Sequence, residues 1–484
     1  MKTLRELLQD IEVTSMTAEP GLAVRDVRYD SRAVEPGDLF VAVRGLQTDG
    51  HRYIRAALDR GAAAVLCEEP PEVDGPYIVT PDSRLALALV SAAYFDWPSR
   101  VLTMVGVTGT NGKTTSTTLI KHILEQCVGA KVGLIGTIAN YIGDEELPTA
   151  RTTPESYELQ KLLRRMADAG CTHVVMEVSS HALSLDRVAG IQFQAGLFTN
   201  LTRDHLDFHG TMRDYAAAKA KLFTISDAGA VNVDDTWSPF MGEQATCPML
   251  SFSATVPADL WARDIAMTAS GVRFTATCGQ ERAAVTLAIP GRFSVENALT
   301  ALAAGVLLGI PLEEAAAALG TAGGVKGRVE VVPTPADDLT VIIDYAHTPD
   351  ALEKVLKTIK AVSPGRLVAL FGCGGDRDRT KRPIMGRAAA DIADFLVVTS
   401  DNPRTEEPEA IIADIVEGIP ADTPHVVIPD RAAAIAWAIG HREPGDVLVL
   451  AGKGHETYQE VNGVKNHMDE RELVAACFAG TEGI

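Results

Sequence analysis

The sequence lacks the cysteine spacing that disulfide frameworks and zinc sites require. Its seven cysteines are scattered, are odd in number and never form C-x-x-C, which favours a reducing compartment. The longest apolar run, residues 85–95, is too short to span a bilayer. The opening MKTLRELLQDIEV places Leu4, Leu7, Leu8 and Ile11 on one face of a predicted amphipathic helix and lacks the apolar core of a signal peptide. We therefore expect a cytoplasmic protein that does not contact a membrane.

Positive charge is scarce as well. The 44 lysines and arginines are outnumbered by 64 aspartates and glutamates, so the formal net charge is −20. Because non-specific nucleic-acid binding requires a positive field, this balance argues against a nucleic-acid partner. A length of 484 residues exceeds what one hydrophobic core usually serves and predicts about three domains. We expect the chain to be a monomer.

Two breaks in composition divide the chain. Residues 1–98 alternate helical stretches with short strands and end at Trp97-Pro98; the strands are predicted at 24–29, 39–42, 63–66 and 77–79. Residues 99–332 open with a strand, a Gly-rich turn, a helix and a strand, which is the βαβ unit of a parallel sheet. Further elements of this segment are predicted strands at 173–177 and 195–199 and a helix at 295–308.

The third segment, residues 333–484, follows a Pro-rich break and again alternates strands with helices. Its strands are predicted at 340–343, 366–371, 395–399 and 447–451. The loops after these strands are DYAHTPD, GCGGDRD, SDNPRTEEP and AGKGHE. Ligands of open α/β sheets bind outside the carboxyl ends of the strands, so these loops predict a ligand site. The sequence thus predicts an α/β fold with domains at 1–98, 99–332 and 333–484.

The segment VGVTGTNGKTT, residues 105–115, joins a buried strand to a helix. Backbone N–H groups at a helix N-terminus, freed by small residues, bind phosphate, and the helix dipole adds to the attraction. Lys113 supplies a charge for the β- and γ-phosphates, and the Thr114 hydroxyl is placed for Mg²⁺. The match to G-x-x-x-x-G-K-[ST] is partial, because Val107 stands where that pattern has glycine. The predicted ATP-binding residues of this segment are Gly109, Thr110, Asn111, Gly112, Lys113, Thr114 and Thr115.

Two potential metal ligands follow the next predicted strands. Glu177 ends a strand in MEVSSH, and His205 follows the next strand in TRDHLDFH. Carboxylate oxygen and imidazole nitrogen both bind divalent cations, and strand ends of one sheet can bring them together. A lone Glu or His is more often a surface or capping residue. Downstream of a nucleotide loop, the pair predicts a metal site.

TGTNGKT resembles the Mur ligase family, the ATP-dependent amide ligases of peptidoglycan synthesis, and its folylpolyglutamate synthetase relatives. The resemblance covers nearly the whole chain through MEVSSHAL, TNLTRDHLDFHG, YAAAKAKLF, GRFSVENAL, GRVE, DYAHTPD, GCGGDRD, DNPRTEEP and AGKGHE. It implies an N-terminal UDP-binding α/β domain, a central P-loop ATPase domain with a parallel sheet, and a C-terminal Rossmann-like α/β domain.

The resemblance also implies ATP, two Mg²⁺ sites and a carbamate formed from CO₂. Thr114, Glu177 and His205 match the family's Mg²⁺ ligands, and Lys219 matches the lysine that is carbamylated and joins them as a metal ligand. Lysine reacts with CO₂ only as the free amine, so its pKa must be lowered locally; Lys221 is the competing candidate. Further ATP contacts are implied at Asn297, Arg328, Asp344 and His347. The implied catalytic residues are Lys113, His205, Lys219 and Arg328, although an interdomain salt bridge would also explain Arg328.

The N-terminal YDSRAVEPGDLFVAVRG resembles the uridine-binding domain of family members that handle UDP-N-acetylmuramoyl peptides, a domain that folylpolyglutamate synthetases lack. The resemblance implies that Ser31 contacts the uridine end of the substrate, with His51 as a weaker candidate. The muramoyl dipeptide would be held by Thr152, Thr153, Ser179 and Arg187.

DNPR resembles the signature of the members that add meso-diaminopimelate, whereas lysine-adding members differ at the arginine. Diaminopimelate carries a second carboxylate that lysine lacks, and a bidentate guanidinium is suited to reading it. We assign that role to Arg404; further contacts are implied at Arg377, Asp401, Asn402, Gly452 and Glu456. A β-turn would explain Asn-Pro but not Arg404.

The implied reaction joins meso-2,6-diaminopimelate to the D-glutamyl γ-carboxylate of UDP-N-acetylmuramoyl-L-Ala-D-Glu, through an acyl phosphate, in cell-wall precursor synthesis. Addition of L-lysine is the main alternative, and a folylpolyglutamate synthetase-like ligase is a more distant one. A P-loop kinase or switch would not explain the uridine-type segment or DNPR. A binding module without activity would be expected to have lost Lys113, Glu177 or His205.

Overall fold

The computed structural model describes residues 1–45 and 48–479, which form two compact units. The first unit consists of Met1–Trp261 and Leu299–Ala315, and the second consists of Ala262–Ala298 and the chain from Ala316 onward. Within the described ranges, no helix has both the length and the apolar character needed to cross a bilayer.

The N-terminal part of the first unit contains a five-stranded sheet in the order β2-β7-β6-β5-β4. Its elements are β1 (Lys2–Thr3), α1 (Leu4–Leu7), β2 (Ser15–Met16), β3 (Ala23–Val24), β4 (Val27–Arg28), β5 (Leu39–Val41), α2 (Ile54–Asp59), β6 (Ala64–Cys67), β7 (Tyr77–Val79) and α3 (Ser83–Tyr94). Strands β4 to β7 pair in parallel, and β2 pairs antiparallel to β7. Apolar side chains pack on both faces of this sheet.

The predicted N-terminal helix is shorter than its apolar pattern indicated. A capping box between Thr3 and Glu6 begins the helix, and the helix ends at Leu7. Leu4 and Leu7 are buried, whereas Leu8 and Ile11 pack on the same core from the turn that follows. The prediction of a longer helix was wrong because a turn brings the same four side chains to the core.

The central part of the first unit is a mainly parallel sheet in the order β11-β10-β9-β12-β8-β13-β14-β15. Its elements are β8 (Thr103–Thr108), α4 (Lys113–Val128), β9 (Val132–Ile135), β10 (Asn140–Ile142), β11 (Glu145–Leu147), α5 (Ser156–Asp168), β12 (His173–Glu177), α6 (Ser180–Ser184), β13 (Phe193–Phe198), α7 (Leu206–His209), α8 (Met212–Ala220), β14 (Ser226–Asn232), α9 (Ser238–Gln244) and β15 (Met249–Ser253). Among these described strands, β10 pairs antiparallel with both β9 and β11, and the other neighbouring strands pair in parallel. Strand β8 lies between β12 and β13, so the loop that follows it lies at the middle of the sheet.

The chain continues through three strands and two helices. The elements are β16 (Leu260–Thr268), β17 (Gly271–Cys278), β18 (Glu281–Leu287), α10 (Arg292–Leu307) and α11 (Leu312–Leu319). Strands β17 and β18 pair antiparallel along their whole length. The sequence pattern predicted α10 but none of the strands from β14 to β18.

The C-terminal sheet of the second unit has six strands in the order β19-β20-β24-β21-β22-β23. The elements are β19 (Glu330–Val332), β20 (Leu339–Asp344), α12 (Pro349–Lys360), β21 (Leu367–Phe371), α13 (Lys381–Ala390), β22 (Phe395–Val398), α14 (Pro408–Val416), β23 (His425–Val427), α15 (Arg431–Gly440), β24 (Asp446–Ala451), β25 (Tyr458–Val461), β26 (Val464–His467) and α16 (Glu470–Phe478). Five of the six strands are parallel, and β19 pairs antiparallel to β20. The four predicted strands are the four central ones.

Two apolar clusters cover the two faces of this sheet. Helices α12, α13 and α14 contribute Leu356, Met385 and Ile412 to one cluster. Helices α15 and α16 contribute Ile435 and Val474 to the other. The sheet is therefore the middle of three layers, and the loops after β20, β21, β22 and β24 leave it at one edge, as the sequence predicted.

Candidate active site

The glycine-rich loop of residues 109–112 joins the buried strand β8 to helix α4, which begins at Lys113. Gly109 has a φ of 145°, and a Cβ at this position would lie 1.9 Å from Oγ1 of Thr199. The Thr199 hydroxyl donates a 2.6 Å hydrogen bond to the carbonyl of Asn111, and the Thr110 amide donates to the carbonyl of Asn200 at 2.8 Å. The chain after β13 thus fixes this loop at the N-terminus of α4, a position that suits a phosphate group. We call residues 109–112 the phosphate loop.

Lys113 and Lys219 both reach the carbonyl oxygen of Gly109. The Nζ atom of Lys113 donates to the Gly109 and Thr110 carbonyls at 2.9 Å each, so it lies across the loop. The Nζ atom of Lys219 donates to the Gly109 carbonyl at 2.8 Å and lies 4.6 Å from the ring centroid of Tyr215. Two lysine side chains therefore lie on the phosphate loop.

Burial distinguishes Lys219 from its competitor Lys221. Only 1% of Lys219 is exposed, whereas the side chain of Lys221 is 51% exposed and lies 4.0 Å from Asp186. Burial, and then the charge of Lys113, lowers the pKa of Lys219 well below its ordinary value. This shift is toward the neutral amine, which is the form that reacts with CO₂.

Thr114 and Glu177 meet beside the same loop. The Thr114 hydroxyl donates a 2.9 Å hydrogen bond to Oε1 of Glu177, a carboxylate that is 1% exposed. Thr137 donates its backbone N–H to Oε1 at 2.9 Å and its hydroxyl to Oε2 at 3.0 Å. The Thr137 hydroxyl also lies 3.0 Å from that of Thr152. A buried carboxylate with hydroxyl oxygens around it fits a hard divalent cation; Thr137 was not foreseen, because no motif contains it.

His205 stands apart from that oxygen cluster. It has a φ of 51°, its side chain is 48% exposed, and its Nε2 atom lies 3.5 Å from Asp204. Its ring centroid is 4.9 Å from that of His181 and 6.1 Å from that of Tyr215. No hydrogen bond or ion pair joins His205 to Glu177 within residues 1–45 and 48–479, where no group of three His, Cys, Asp or Glu side chains is placed to hold a metal. The structure thus brings Thr114, Glu177 and the loop together, and leaves His205 outside the cluster.

A cavity of about 830 Å³ in the first unit is lined by residues of its N-terminal part and of its central part. Ser31 and Arg187 line it, as do Leu185 and the aromatic side chains of Tyr29 and Tyr53. Ser31 begins a short 3₁₀ turn, Ser31–Ala33. His51 does not line the cavity, because Asp49 binds its Nδ1 atom at 2.7 Å and the Glu68 amide donates to Nε2 at 2.9 Å.

Three arginines surround Glu155 at one wall of this cavity. The nearest atoms of Arg187, Arg151 and Arg84 lie 3.2, 3.4 and 3.9 Å from its carboxylate oxygens. Burial lowers the pKa of the Arg187 guanidinium, which also donates to the carbonyl of Thr153 at 3.3 Å. Three cations to one anion leave a local positive charge, which suits an anionic ligand.

Thr153 and Ser179 lie between this wall and the carboxylate of β12. The Thr153 hydroxyl donates to the backbone carbonyl of Glu177 at 2.8 Å and accepts from the Ser179 amide at 3.1 Å. The Ser179 hydroxyl caps helix α6 by accepting from the Ala182 amide. The predicted dipeptide residues are thereby connected to the predicted metal ligand Glu177 through direct hydrogen bonds.

In the second unit, the buried carboxylate of Asp344 connects two predicted ATP segments. Its oxygens accept from the backbone N–H groups of Val329 and Ala346, each at 2.8 Å. Burial raises the pKa of Asp344, which these hydrogen bonds oppose. The Arg328 guanidinium lies 5.7 Å from the ring centroid of Tyr345. Asp344 therefore fixes the turn that carries Arg328.

The two remaining predicted ATP residues of this unit differ in exposure. His347 is exposed, and its Nδ1 atom lies 2.9 Å from the carbonyl of Tyr345. Asn297 is 5% exposed and lies within α10.

The loops after β22 and β24 approach each other closely. Gly452 has a φ of 113°, and a Cβ there would lie 2.6 Å from Oδ2 of Asp401. Asn402 and Glu456 are joined directly, because the Asn402 amide donates to Oε2 of Glu456 at 2.9 Å. Lys453, which is fully buried, donates to both Asn402 and Glu456 at 3.1 and 2.9 Å. Lys453 was not singled out from the sequence, although its place between two glycines of AGKGHE was a signal.

The two predicted arginines of this site are held differently. Arg404 donates from Nη1 to the carbonyl of Gly375 at 2.8 Å, so the DNPR loop and the loop after β21 meet. A Cβ at Gly374 would lie 2.9 Å from the same nitrogen, so glycine leaves room for the guanidinium. Arg377 is exposed and donates to the carbonyl of Asp376 at 3.0 Å.

Arg382 stabilises the loops after β21 and β22. It is fully buried, and its guanidinium forms ion pairs with Glu406 at 2.7 Å and with Asp414 at 2.9 Å. The hydrogen bond from Arg382 is the main cause that lowers the pKa of Glu406 to about 2. Glu406 also accepts from the Asp376 amide at 2.6 Å, which ties the loop after β21 to the loop after β22.

Arg431 is a second fully buried arginine in this unit. It donates to the carbonyl of Ser400 at 3.1 Å, to that of Ala451 at 2.9 Å and to Oε1 of Glu470 at 2.8 Å. Ser400 and Ala451 immediately precede Asp401 and Gly452. One side chain therefore spans the starts of two predicted binding loops.

The glycine loop, its lysines and the threonine–glutamate pair define a nucleotide-binding α/β protein of the P-loop class. The chain belongs to the Mur ligase family. Residues 23–95 match its catalytic domain, residues 107–305 match the Mur ligase middle domain, and residues 327–454 match the Mur ligase glutamate ligase domain. These matches confirm the family and the α/β fold class that the sequence predicted.

Full-length relatives share this family. The chain is 44% identical over 477 residues to the UDP-N-acetylmuramoyl-L-alanyl-D-glutamate–2,6-diaminopimelate ligase of Clostridium botulinum, covering 97% of this chain and 98% of that one. It is 46% identical over 459 residues to the enzyme of the same name from Gloeobacter violaceus, covering 94% and 93%. A solved structure of a ligase with this name matches with a TM-score of 0.77 and 35% identity over 99% of both chains.

Proposed function

We propose that this chain is an ATP-dependent ligase that joins meso-2,6-diaminopimelate to the D-glutamyl γ-carboxylate of UDP-N-acetylmuramoyl-L-Ala-D-Glu. The observation that carries the proposal is its similarity, over almost its full length, to relatives named for this reaction. The reaction belongs to cytoplasmic peptidoglycan precursor synthesis. ATP transfers its γ-phosphoryl group to the γ-carboxylate; the diaminopimelate amine then attacks the acyl phosphate and phosphate leaves.

The phosphate loop supports the first of these steps. Residues 109–115 would bind the ATP phosphates, with Lys113 opposite the β- and γ-phosphates and Arg328, Asn297, Asp344 and His347 as further ATP contacts. Phosphoryl transfer depends on positioning and on charge neutralisation more than on covalent help, and a bound Mg²⁺ supplies part of that neutralisation. Thr114, Glu177, His205 and Lys219 would hold two such ions. The 2.9 Å hydrogen bond between Thr114 and Glu177 supports the assignment of these two residues to one ion.

Lys219 would act as a carbamate. Its neutral amine attacks CO₂, a C–N bond forms, and one proton leaves to solvent, which turns a buried amine into an anion. Its burial and lowered pKa support this assignment over Lys221. An anion here would lie against Lys113 and the loop, where it offsets positive charge.

The cavity of the first unit supports the proposed nucleotide-sugar site. Ser31 would contact the uridine end, and Thr152, Thr153, Ser179 and Arg187 would hold the dipeptide. Ser31 and Arg187 line one cavity, and Thr153 is hydrogen-bonded to both Arg187 and Ser179. The surplus of arginines around Glu155 suits a substrate with phosphates and carboxylates.

The loops of the second unit support the proposed acceptor site. Arg404 would read the distal carboxylate, with Arg377, Asn402 and Gly452 beside it, and Asp401 and Glu456 would accept from ammonium groups. Lysine lacks that carboxylate and would leave the outer N–H groups of the Arg404 guanidinium without a ligand partner, which disfavours lysine by roughly 1–3 kcal/mol.

We further propose domains at 1–98, 99–332 and 333–484. Sheet β2–β7 lies within the first range, sheet β8–β15 within the second, and β20–β24 within the third. We propose a monomer without nucleic-acid or membrane partners.

The experiment is a turnover assay with the purified full-length chain, ATP, Mg²⁺ and UDP-N-acetylmuramoyl-L-Ala-D-Glu. ADP release and the tripeptide product are measured with meso-diaminopimelate, with L-lysine, or with neither. We expect turnover with diaminopimelate alone. Turnover with lysine but not with diaminopimelate would overturn the proposed specificity. The absence of turnover with either amino acid would overturn the proposed function.

The acyl phosphate has its own test. With hydroxylamine in place of the amino acid, an acyl phosphate is trapped as a hydroxamate on the glutamyl residue. We expect this product to depend on ATP. ADP release without any hydroxamate would contradict the intermediate.

A further inference from the structure

The hairpin of β25 and β26 is joined by backbone hydrogen bonds to the loop that carries Arg404. The Arg404 amide donates to the carbonyl of Glu460 at 3.0 Å, and the Asn462 amide donates to the carbonyl of Arg404 at 2.7 Å. These contacts form an isolated parallel bridge between Arg404 and Val461. The hairpin therefore fixes the backbone of Arg404, which has a left-handed φ of 53°.

Side chains add to this backbone link. The Glu460 amide donates to Oδ1 of Asn402 at 2.9 Å, and the Gln459 side chain donates to the carbonyl of Asp401 at 2.8 Å. The hairpin thus contacts three of the four residues of the DNPR motif. None of the known-family segments recognised in the sequence includes this hairpin.

Glu460 also reaches the guanidinium of Arg404. Its Oε2 atom lies 3.3 Å from Nε of Arg404, and the two side chains are 26% and 20% exposed. On the other side of the guanidinium, Nη1 donates to the carbonyl of Gly375. An arginine carries five N–H groups. The Nε–H group faces Glu460, and one Nη1 hydrogen is donated to the carbonyl of Gly375. The outer N–H groups, which are the second one on Nη1 and the two on Nη2, remain for a ligand.

We propose that Glu460 is a specificity-determining positioning residue, which holds the Arg404 guanidinium with its outer N–H groups toward the distal carboxylate of the acceptor amino acid. This inference rests on the proposed function. A bidentate pair with a carboxylate requires a fixed guanidinium plane, and a long side chain loses rotamer freedom when it is fixed. Glu460 and Gly375 fix that plane before the ligand binds, so the ligand does not have to order it.

The direction of the change in diaminopimelate binding distinguishes a positioning role of Glu460 from a competing one. If Glu460 competed with the ligand for Arg404, its removal would tighten binding of diaminopimelate. If it positions Arg404, its removal weakens binding of diaminopimelate and leaves lysine unaffected, because lysine has no distal carboxylate. The two mechanisms therefore predict changes of opposite direction in the same constant.

The test uses the full-length chain and the variants Glu460→Gln and Glu460→Asp. The KM for diaminopimelate is measured with ATP and the UDP-linked dipeptide saturating. For Glu460→Gln we expect a rise of about 3- to 10-fold, the range for one side chain left to be ordered by the ligand. The kcat and the KM for ATP should not change, and Glu460→Asp should recover part of the loss. Glu472→Gln is the matched control, because Glu472 pairs with His467 of the same hairpin and is 67% exposed.

A double-mutant cycle with Arg404→Met shows whether Glu460 acts through Arg404. In the Arg404→Met background, Glu460→Gln should have no further effect on the KM for diaminopimelate. An equal effect in both backgrounds, or an unchanged or lower KM in the single variant, would overturn the proposal. A wild-type chain that does not use diaminopimelate would instead show that the proposed function has failed. Thermal unfolding of each variant checks that the change is not a loss of fold.

Discussion

The hydroxyl of Thr114 donates a 2.9 Å hydrogen bond to the carboxylate of Glu177, which in turn accepts two hydrogen bonds from Thr137. Thr114 lies in the first turn of the helix after the phosphate loop, and Thr137 contacts Thr152 of the predicted dipeptide site. One buried carboxylate therefore connects the residues predicted for ATP with those predicted for the sugar peptide. The proposed metal ligand Glu177 therefore lies between the two proposed substrate sites.

The first prediction concerns this carboxylate. Glu177→Gln keeps the shape of the side chain and removes its charge, so the fold should persist while activity falls by roughly 10²–10³-fold. The Mg²⁺ concentration for half-maximal ADP release should rise as well. Thr114→Ser is the control, because it keeps the hydroxyl, and Thr114→Val removes it. A Glu177→Gln variant with unchanged Mg²⁺ dependence would contradict the assignment.

The second prediction concerns Lys219. Because burial lowers the pKa of Lys219 and so favours its neutral amine, ¹³C-bicarbonate should produce a carbamate signal in the ¹³C spectrum. Lys219→Met should lose this signal and about 10²-fold or more in kcat, as expected when a preorganised charge is removed. Lys221→Met is the control and should keep both. Restoration of activity to Lys219→Met by a short carboxylate would support an anionic role, and a wild-type chain without the signal would refute it.

The third prediction concerns Arg187. Its replacement by Met removes charged hydrogen bonds from the cavity, so the KM for the UDP-linked dipeptide should rise by roughly 10- to 100-fold. The KM for ATP should stay near the wild-type value. Arg165→Met is a suitable control, since Arg165 forms an exposed ion pair with Glu145 away from the cavity lining. Equal effects on both KM values would indicate a general structural role.

The fourth prediction concerns pH and stability. The pKa of Glu406 is lowered to about 2. The contribution of its carboxylate to the free energy of unfolding is therefore fully present above about pH 4.5 and is lost as the pH falls toward 2. Glu406→Gln should therefore lower the Tm at pH 7, by the equivalent of roughly 1–3 kcal/mol for a charged hydrogen bond. The difference between wild type and variant should shrink below pH 4. A difference that is constant from pH 7 to pH 3 would exclude the Arg382–Glu406 pair as its cause.

Local pattern was enough for the phosphate loop and for strands such as β12, whose predicted range, 173–177, is the observed one. In both cases a run of apolar residues ends at glycine or a charged residue, so adjacent residues indicate where the strand ends. The strands from β14 to β18 were missed because their apolar residues are short runs interrupted by polar ones, which resemble loops. The fold was predictable where the signal was local.

The environment of Lys219 was not predictable in this way. Its Nζ atom contacts the carbonyl of Gly109, 110 positions earlier in the chain, and an Ala-rich helix gives no sign of what covers it. The hydrogen-bond partners of Asn402 were not predictable from the sequence either. It was predicted as a substrate contact, but Lys453, Glu456 and Glu460 already engage its amide group. Residue type and motif predicted a candidate site, whereas the pairing of side chains within it required tertiary structure.

The buried guanidinium of Arg431 has a consequence for redesign of this ligase. Because it hydrogen-bonds the carbonyls that precede both Asp401 and Gly452, displacement of one loop is transmitted to the other. A loop transplanted alone from an enzyme with another amino-acid preference would meet a partner loop still spaced for the original one. Exchange of substrate preference is therefore more promising when both loops, Arg431 and Glu470 are transferred together as one cassette.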